Sequence, residues 1–536
     1  MLIITAINCP MYKYLLPIAL LCGSVQLKAQ MPGSAVDVQH YTFNITLSDQ
    51  TDEIKGRADV QLALCRDVNS ITLDLDGKTA TGKGMQVLGV TEGAKKLPYV
   101  HADGKLVIKT TAKSGTNHMY RIIYNGIPAD GLIISQNKYG DRTFFGDNWL
   151  RRARKWLPCV DDVADKAGVD FIVTAPAHYS VVANGLKLSE KQSGSNKTTH
   201  WHEDVPVSTK VMVIGVADFA ISTPEFVNQV PVNAYTFKQD KANGFKAYSC
   251  APEILNFYNQ QIGPYAYKKL ANVQSKTIFG GMENASNIFY YENSVNDKAI
   301  EALVAHEVAH QWFGDAATES AVAHVWLSEG FATYFTHYYH EHKYGADSLR
   351  KRMITDRTGI FAFEKERLTP VVDTTTEKAD INLLNTNSYQ KASWVLHMLR
   401  HQLGDAAFIK GIRTYYSTYK NGNAGTENFR TVMEKAGNQN LERFFKQWLY
   451  TASHPRLRIS YETDKTNHGI HLHIEQLQPQ VYQLKVDLKI GSTNFTAEMK
   501  DKALDLNIAA PTQAGELIVD PNVNLLADYE IVNKDK

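Results

Sequence analysis

The spacing of apolar residues changes character twice along this chain. From about Met31 to Ser222, hydrophobic and polar positions alternate in short runs: Tyr41, Phe43, Ile45 and Leu47; Val60, Leu62 and Leu64; Ile71, Leu73 and Leu75. A period of two predicts strands that bury one face. From about Thr223 to Ser453 the pattern becomes mostly helical, after a short β lead-in near Val230 to Gln274. Within it, Ile300, Leu303, Val304 and Val308 predict a helix over Asp297 to Phe313, with Asp297 as its cap. Beyond His454-Pro455 the alternation returns in Leu457, Ile459 and Tyr461, in Ile470, Leu472 and Ile474, and in Leu484, Val486, Leu488 and Ile490. That pattern predicts a small β-sandwich. The expected fold is multidomain α+β: an N-terminal β domain over 31–222, a mainly helical domain over 223–453 and a C-terminal β-sandwich over 454–536.

The predicted helix carries His306-Glu307-Val308-Ala309-His310. Residues four apart share a helix face, so His306 and His310 point at one spot. Glu307 is displaced around the axis, where it reaches a metal-bound water instead of the metal. A catalytic zinc takes three protein ligands and keeps a fourth position for water. Glu329, in Trp326-Leu327-Ser328-Glu329-Gly330, is the natural third ligand. Without it, the two histidines would read as an ordinary helix surface.

Upstream, Phe279-Gly280-Gly281-Met282-Glu283-Asn284 sets two glycines ahead of a carboxylate, between segments of strand character. Glycine lets backbone approach a ligand closely, and extended backbone can bind a peptide by adding it as a strand. Glu283 would then face the substrate's N-terminal ammonium. A plain turn with a solvated Glu283 fits the same residues equally well.

These segments together resemble the aminopeptidase N family of gluzincin metallopeptidases. The resemblance rests on Gly280 to Asn284, on His306-Glu307-x-x-His310, and on eighteen intervening residues before Glu329. It continues in Gln311-Trp312-Phe313-Gly314-Asp315, Phe331-Ala332-Thr333-Tyr334, Tyr389-Gln390-Lys391-Ala392-Ser393-Trp394 and the upstream segment Ala153 to Asp162. It implies a thermolysin-like catalytic domain over 223–453 with one zinc per chain, held by His306, His310 and Glu329. Glu307 becomes the general base, Tyr389 the phenol that steadies the oxyanion, and Glu283 the amine anchor. Gly280, Gly281 and Met282 line the substrate's path. Where many relatives carry a Gln-x-Glu pair, this chain places Asp147 and Trp149. Asp147 is therefore a candidate wall of the first side-chain pocket, favouring basic N-terminal residues. The resemblance also leads us to expect a short form of the family, without the helical fourth domain of longer relatives and with a cleft that is more open or closed by a partner subunit.

The implied function is a zinc aminopeptidase acting on peptides with a free N-terminus. A zinc endopeptidase is the alternative if Glu283 lies outside the cleft, and a silent peptide-binding protein is another. A length of 536 residues suggests about three domains. A net charge of +1 gives no electrostatic case for nucleic acid or an acidic membrane surface. Met11-Tyr12-Lys13, the apolar run Tyr14 to Val25 and Leu27-Lys28-Ala29 read as a signal peptide over 1–30, with either Met1 or Met11 as the start. The run is shorter than a membrane span needs, so no transmembrane helix is expected in the mature chain. Export to the periplasm or beyond follows, with a lipid anchor at Cys22 a minor alternative because Leu21 is bulky. Cys65, Cys159 and Cys250 remain, read as buried thiols, with a Cys65–Cys159 bridge conceivable. His337, His340 and His342 with Glu341 read as a solvated helix face, and His324 as a surface group or a support for the ligands. The oligomeric state is left open.

Overall fold

The computed structural model describes residues 34–375, 381–464, 469–509 and 516–535. The expected signal segment 1–30 lies outside the described residues. The alternating runs fold as strands: Val36–Thr46 and Ile54–Leu64 bury every second side chain over most of their length and pair antiparallel. They sit inside an eight-stranded sheet, which packs with a four-stranded and a three-stranded sheet around a core that includes Phe43, Val60, Trp156 and Phe171.

A six-stranded sheet follows, built on the parallel neighbours Val230–Phe237, Leu270–Ser275 and Asn287–Tyr291. Its edge strand Phe219–Ile221 comes from before the expected boundary at 222/223. The cause is packing, since Phe219 pairs with Phe237 across the strands and stacks on its ring at 6.2 Å. The opposite edge is the short strand Gly281–Met282. Helices then dominate, beginning with Ile300–His310 and Trp326–Tyr344. The chain closes in a four-stranded and a three-stranded sheet over 456–533. Trp448 of the helical region and Leu457, Leu472 and Val486 of these sheets belong to one continuous core.

Two lysines fix the N-terminal sheets to the helical region. Lys166 Nζ donates to the carbonyls of Asp315 (2.8 Å), Ala316 (2.9 Å) and Gly422 (3.3 Å), and Lys210 Nζ pairs with Glu319 Oε1 at 2.6 Å. Both lysines are buried, so each ammonium depends on these acceptors.

Three expectations change. Cys159 carries a free thiol, so the Cys65–Cys159 bridge is not formed, and Cys65 and Cys250 are only partly buried. His337 and His340 are buried, not solvated; His337 Nε2 bonds Asp356 at 2.8 Å, and only His342 is exposed. The zinc-motif helix starts at Ile300, three residues after Asp297. Asp297 Oδ1 instead accepts the backbone N–H of Ala299 at 2.8 Å, capping the turn that precedes the helix. Among the described residues, no helix is long and apolar enough to cross a membrane.

Candidate metal centre

Two helices bring the three expected ligands together. His306 and His310 lie one turn apart on Ile300–His310, and Glu329 sits in the first turn of Trp326–Tyr344. The two Nε2 atoms are 3.1 Å apart, and Glu329 Oε2 lies 3.4 Å from His306 Nε2 and 3.2 Å from His310 Nε2. Such separations are edges of a tetrahedron whose centre is about 2.0 Å from each donor, the distance zinc takes to nitrogen and oxygen. His310 Nδ1 lies 3.1 Å from the Phe313 carbonyl, which can only accept. With the ring proton held on Nδ1 by that carbonyl, Nε2 is the nitrogen that would give its lone pair to a metal. Ser328 Oγ touches the same Nδ1 at 3.1 Å. This contact needs Gly314, whose φ is +117° and where a Cβ would stand 2.3 Å from Ser328 Oγ and 3.2 Å from His310 Nδ1.

Charge also fits a cation here. Glu283, Glu307 and Glu329 are all nearly buried around the pair of imidazoles. Burial pushes the Glu307 carboxyl far above its ordinary range, with Glu283 and Glu329 adding to the His310-opposed rise. Burial raises Glu283 too, against the pull of His310. Lys210, whose field reaches Glu283, is already paired with Glu319. A divalent ion would supply the missing positive charge, and His-His-Glu donors suit zinc.

The cleft over this centre has a volume of about 530 Å³. Gly280, Gly281, Met282 and Glu283 line it, as do Glu307 and Tyr389. Of the two open readings of the glycine pair, the structure has the strand: Gly281 and Met282 pair with Tyr290 and Phe289 at the sheet edge. Gly281 is required sterically, because a Cβ there would stand 2.2 Å from Glu307 Oε1, whereas one at Gly280 would meet nothing. Glu283 is 4% exposed, and its Oε1 has no hydrogen-bond partner. Tyr389 lies in a π-helical turn, Asn387–Lys391, its ring parallel to that of His306 at 6.0 Å. Single π turns recur at functional sites. Burial, then Glu329 and Glu283, push its phenol well above the usual value, so it stays protonated and able to donate.

Asp147 does not join this group. It is fully buried, pairs with Arg152, and accepts from Thr277 Oγ1 (3.0 Å) and the Ile278 N–H (3.2 Å). Trp149, two residues on, lines the cleft beside Phe279 and Leu384. Sequence reasoning gave Gln311 no role, yet its side chain holds the strand end. Its Nε2 donates to the Glu283 carbonyl (2.6 Å) and to Asp315 Oδ2 (2.8 Å), while its Oε1 accepts the Ser286 N–H (2.8 Å). Its position directly after His310 was the available signal. His324 is away from the ligands, bonded to Thr426 Oγ1 at 2.9 Å.

Comparison with known proteins agrees with this geometry. The peptidase family M1 domain matches residues 246–448, and the peptidase M1 N-terminal domain matches residues 37–211. A probable aminopeptidase 2 of Sulfurisphaera tokodaii is 25% identical over 82% of this chain and 58% of its own length. Aminopeptidase M1 of Arabidopsis thaliana is 25% identical over 66% of this chain and 42% of its own. Glutamyl aminopeptidase of Rattus norvegicus is 26% identical over 59% of this chain and 35% of its own. The matched part thus spans 35% to 58% of these relatives' lengths.

Proposed function

Because the chain belongs to the M1 metallo-aminopeptidase family, we propose that it hydrolyses the first peptide bond of peptides with a free N-terminal amine. A zinc ion held by His306, His310 and Glu329 would supply a Lewis acid that polarises the scissile carbonyl and acidifies water. Glu307 takes the proton of the attacking water and passes it to the departing amine. The Tyr389 hydroxyl donates to the oxyanion that develops on the former carbonyl. Gly281 and Met282, at the sheet edge, offer backbone along which the substrate lies extended. Export to the periplasm or beyond belongs to the same proposal and rests on the sequence alone.

The observation that carries the exopeptidase reading is Glu283: a nearly buried carboxylate with an unpartnered oxygen, lining the same cleft as the ligands and the base. A substrate ammonium would satisfy that oxygen with a charge-assisted hydrogen bond, whereas a mid-chain peptide N–H would leave the buried carboxylate without a counter-charge. The walls formed by Trp149, Phe279, Met282 and Leu384 favour an apolar first side chain. Removing the metal with a chelator should abolish hydrolysis, and added zinc should restore it. Glu307→Gln should lower kcat on the order of 10²–10⁴-fold with zinc content unchanged. Undiminished turnover by that variant would refute its role as base.

A further inference from the structure

Away from the cleft, three of the chain's 18 histidines meet one aspartate on a single face of the eight-stranded sheet. His40 lies on Val36–Thr46, Asp170 on the neighbouring Lys166–Pro176, and His200 and His202 on the next strand, Asn196–Ser208. His40 Nε2 is 2.5 Å from Asp170 Oδ2; His200 Nε2 and His202 Nδ1 are 2.6 Å and 3.1 Å from Asp170 Oδ1. We propose that His40, Asp170 and His202 form a second divalent-metal site, of the zinc class, with His200 orienting the carboxylate or completing the ligand set.

Register explains the convergence. Asp170 stands directly across from His202, and His40 directly across from Gly168, two residues before Asp170 and so on the same face. Gly168 leaves the space that the first imidazole fills: a Cβ there would stand 2.6 Å from His40 Nδ1. Donor atoms of His40, Asp170 and His202 already lie within 4.8 Å of one another. Two imidazoles and a carboxylate match the donor types gathered at the cleft, and nitrogen–oxygen donors of this kind suit zinc.

The present separations are those of hydrogen bonds. Tetrahedral zinc would need donor atoms about 3.3 Å apart, from bond lengths of about 2.0 Å, so the His40 and His202 contacts to Asp170 must open by less than about 1 Å, while the two imidazole donors, within 4.8 Å of one another, must come to the same spacing. The side chains have room for that, since those of His40, Asp170, His200 and His202 are 25%, 14%, 29% and 35% exposed. Solvent access also gives an ion a route in. An ion at this point would tie together segments 130 residues apart in sequence.

The test is zinc stoichiometry, measured by elemental analysis after equilibration at micromolar free zinc. The full chain should hold two zinc ions. Glu329→Gln, which removes a ligand at the cleft, should keep the second ion, and zinc should still raise that variant's unfolding midpoint. His40→Gln and His202→Gln should each reduce two ions to one without loss of peptide hydrolysis. His202 is the most exposed of the four, so His202→Gln reads the site even if His40→Gln folds poorly. A single zinc in the wild type, or two retained in both histidine variants, would overturn the proposal and leave the cluster a hydrogen-bond network.

Discussion

Carboxylates around the cleft differ in what already holds them, and that difference assigns their work. Glu283 has an oxygen without a partner, and Gly281 keeps the space beside Glu307 free of a Cβ. Asp147 is saturated by Arg152, Thr277 and Ile278. Asp147→Ala should therefore leave the ratio of lysyl to leucyl turnover unchanged while destabilising the fold by about 3 kcal/mol, because Arg152 and two donors lose a buried acceptor. Paired turnover measurements and denaturant melts check this; a selective loss of lysyl turnover would return Asp147 to the pocket. The sequence showed an acid near the first pocket, but not that Arg152, five residues on, already neutralises it. His310 is the opposite case: its role follows from a four-residue spacing that any helix enforces.

At the scale of elements, the site depends on how closely three helical segments approach. Gly330, next to the third ligand, lets the segment bearing Tyr389 come near; a Cβ there would stand 2.4 Å from Ala392 Cβ and 3.3 Å from the Ser388 carbonyl. Gly330→Ala should push that segment away and cost about 1–3 kcal/mol. With Tyr389 misplaced by even about 1 Å, kcat should fall on the order of 10²-fold while one zinc stays in the cleft. Unchanged kcat would show that the close approach does not set the position of Tyr389. The order of β, helical and β regions was readable from hydrophobic period alone, because that period is a local property. Helix ends were less so: Asp297 had the composition of a cap, but its side chain closes the preceding turn. Gln311 was hidden for a related reason, since three of its four partners, in Tyr265, Glu283 and Ser286, come from segments distant in sequence.

For the molecule as a whole, the N-terminal sheets do more than flank the catalytic helices. Lys166 and Lys210 reach from them into the helical region and end on Asp315, Ala316, Gly422 and Glu319, around the segment that follows the ligand helix. Trp149, from the same N-terminal region, forms a wall of the cleft. Two regions thus build one cleft, which Glu283 lines together with Trp149. Under the proposed function, that carboxylate makes the site measure from a free amino terminus. The direct measurement is hydrolysis of a dipeptide amide with an apolar first residue and of its N-acetylated twin, by wild type and Glu283→Ala, with zinc assayed in both proteins. Cleavage of the free amine only is expected, with kcat/KM lowered at least about tenfold, or 1.4 kcal/mol, in the variant and zinc content unchanged. Comparable cleavage of the acetylated twin, or a Glu283→Ala enzyme that loses nothing, would contradict it.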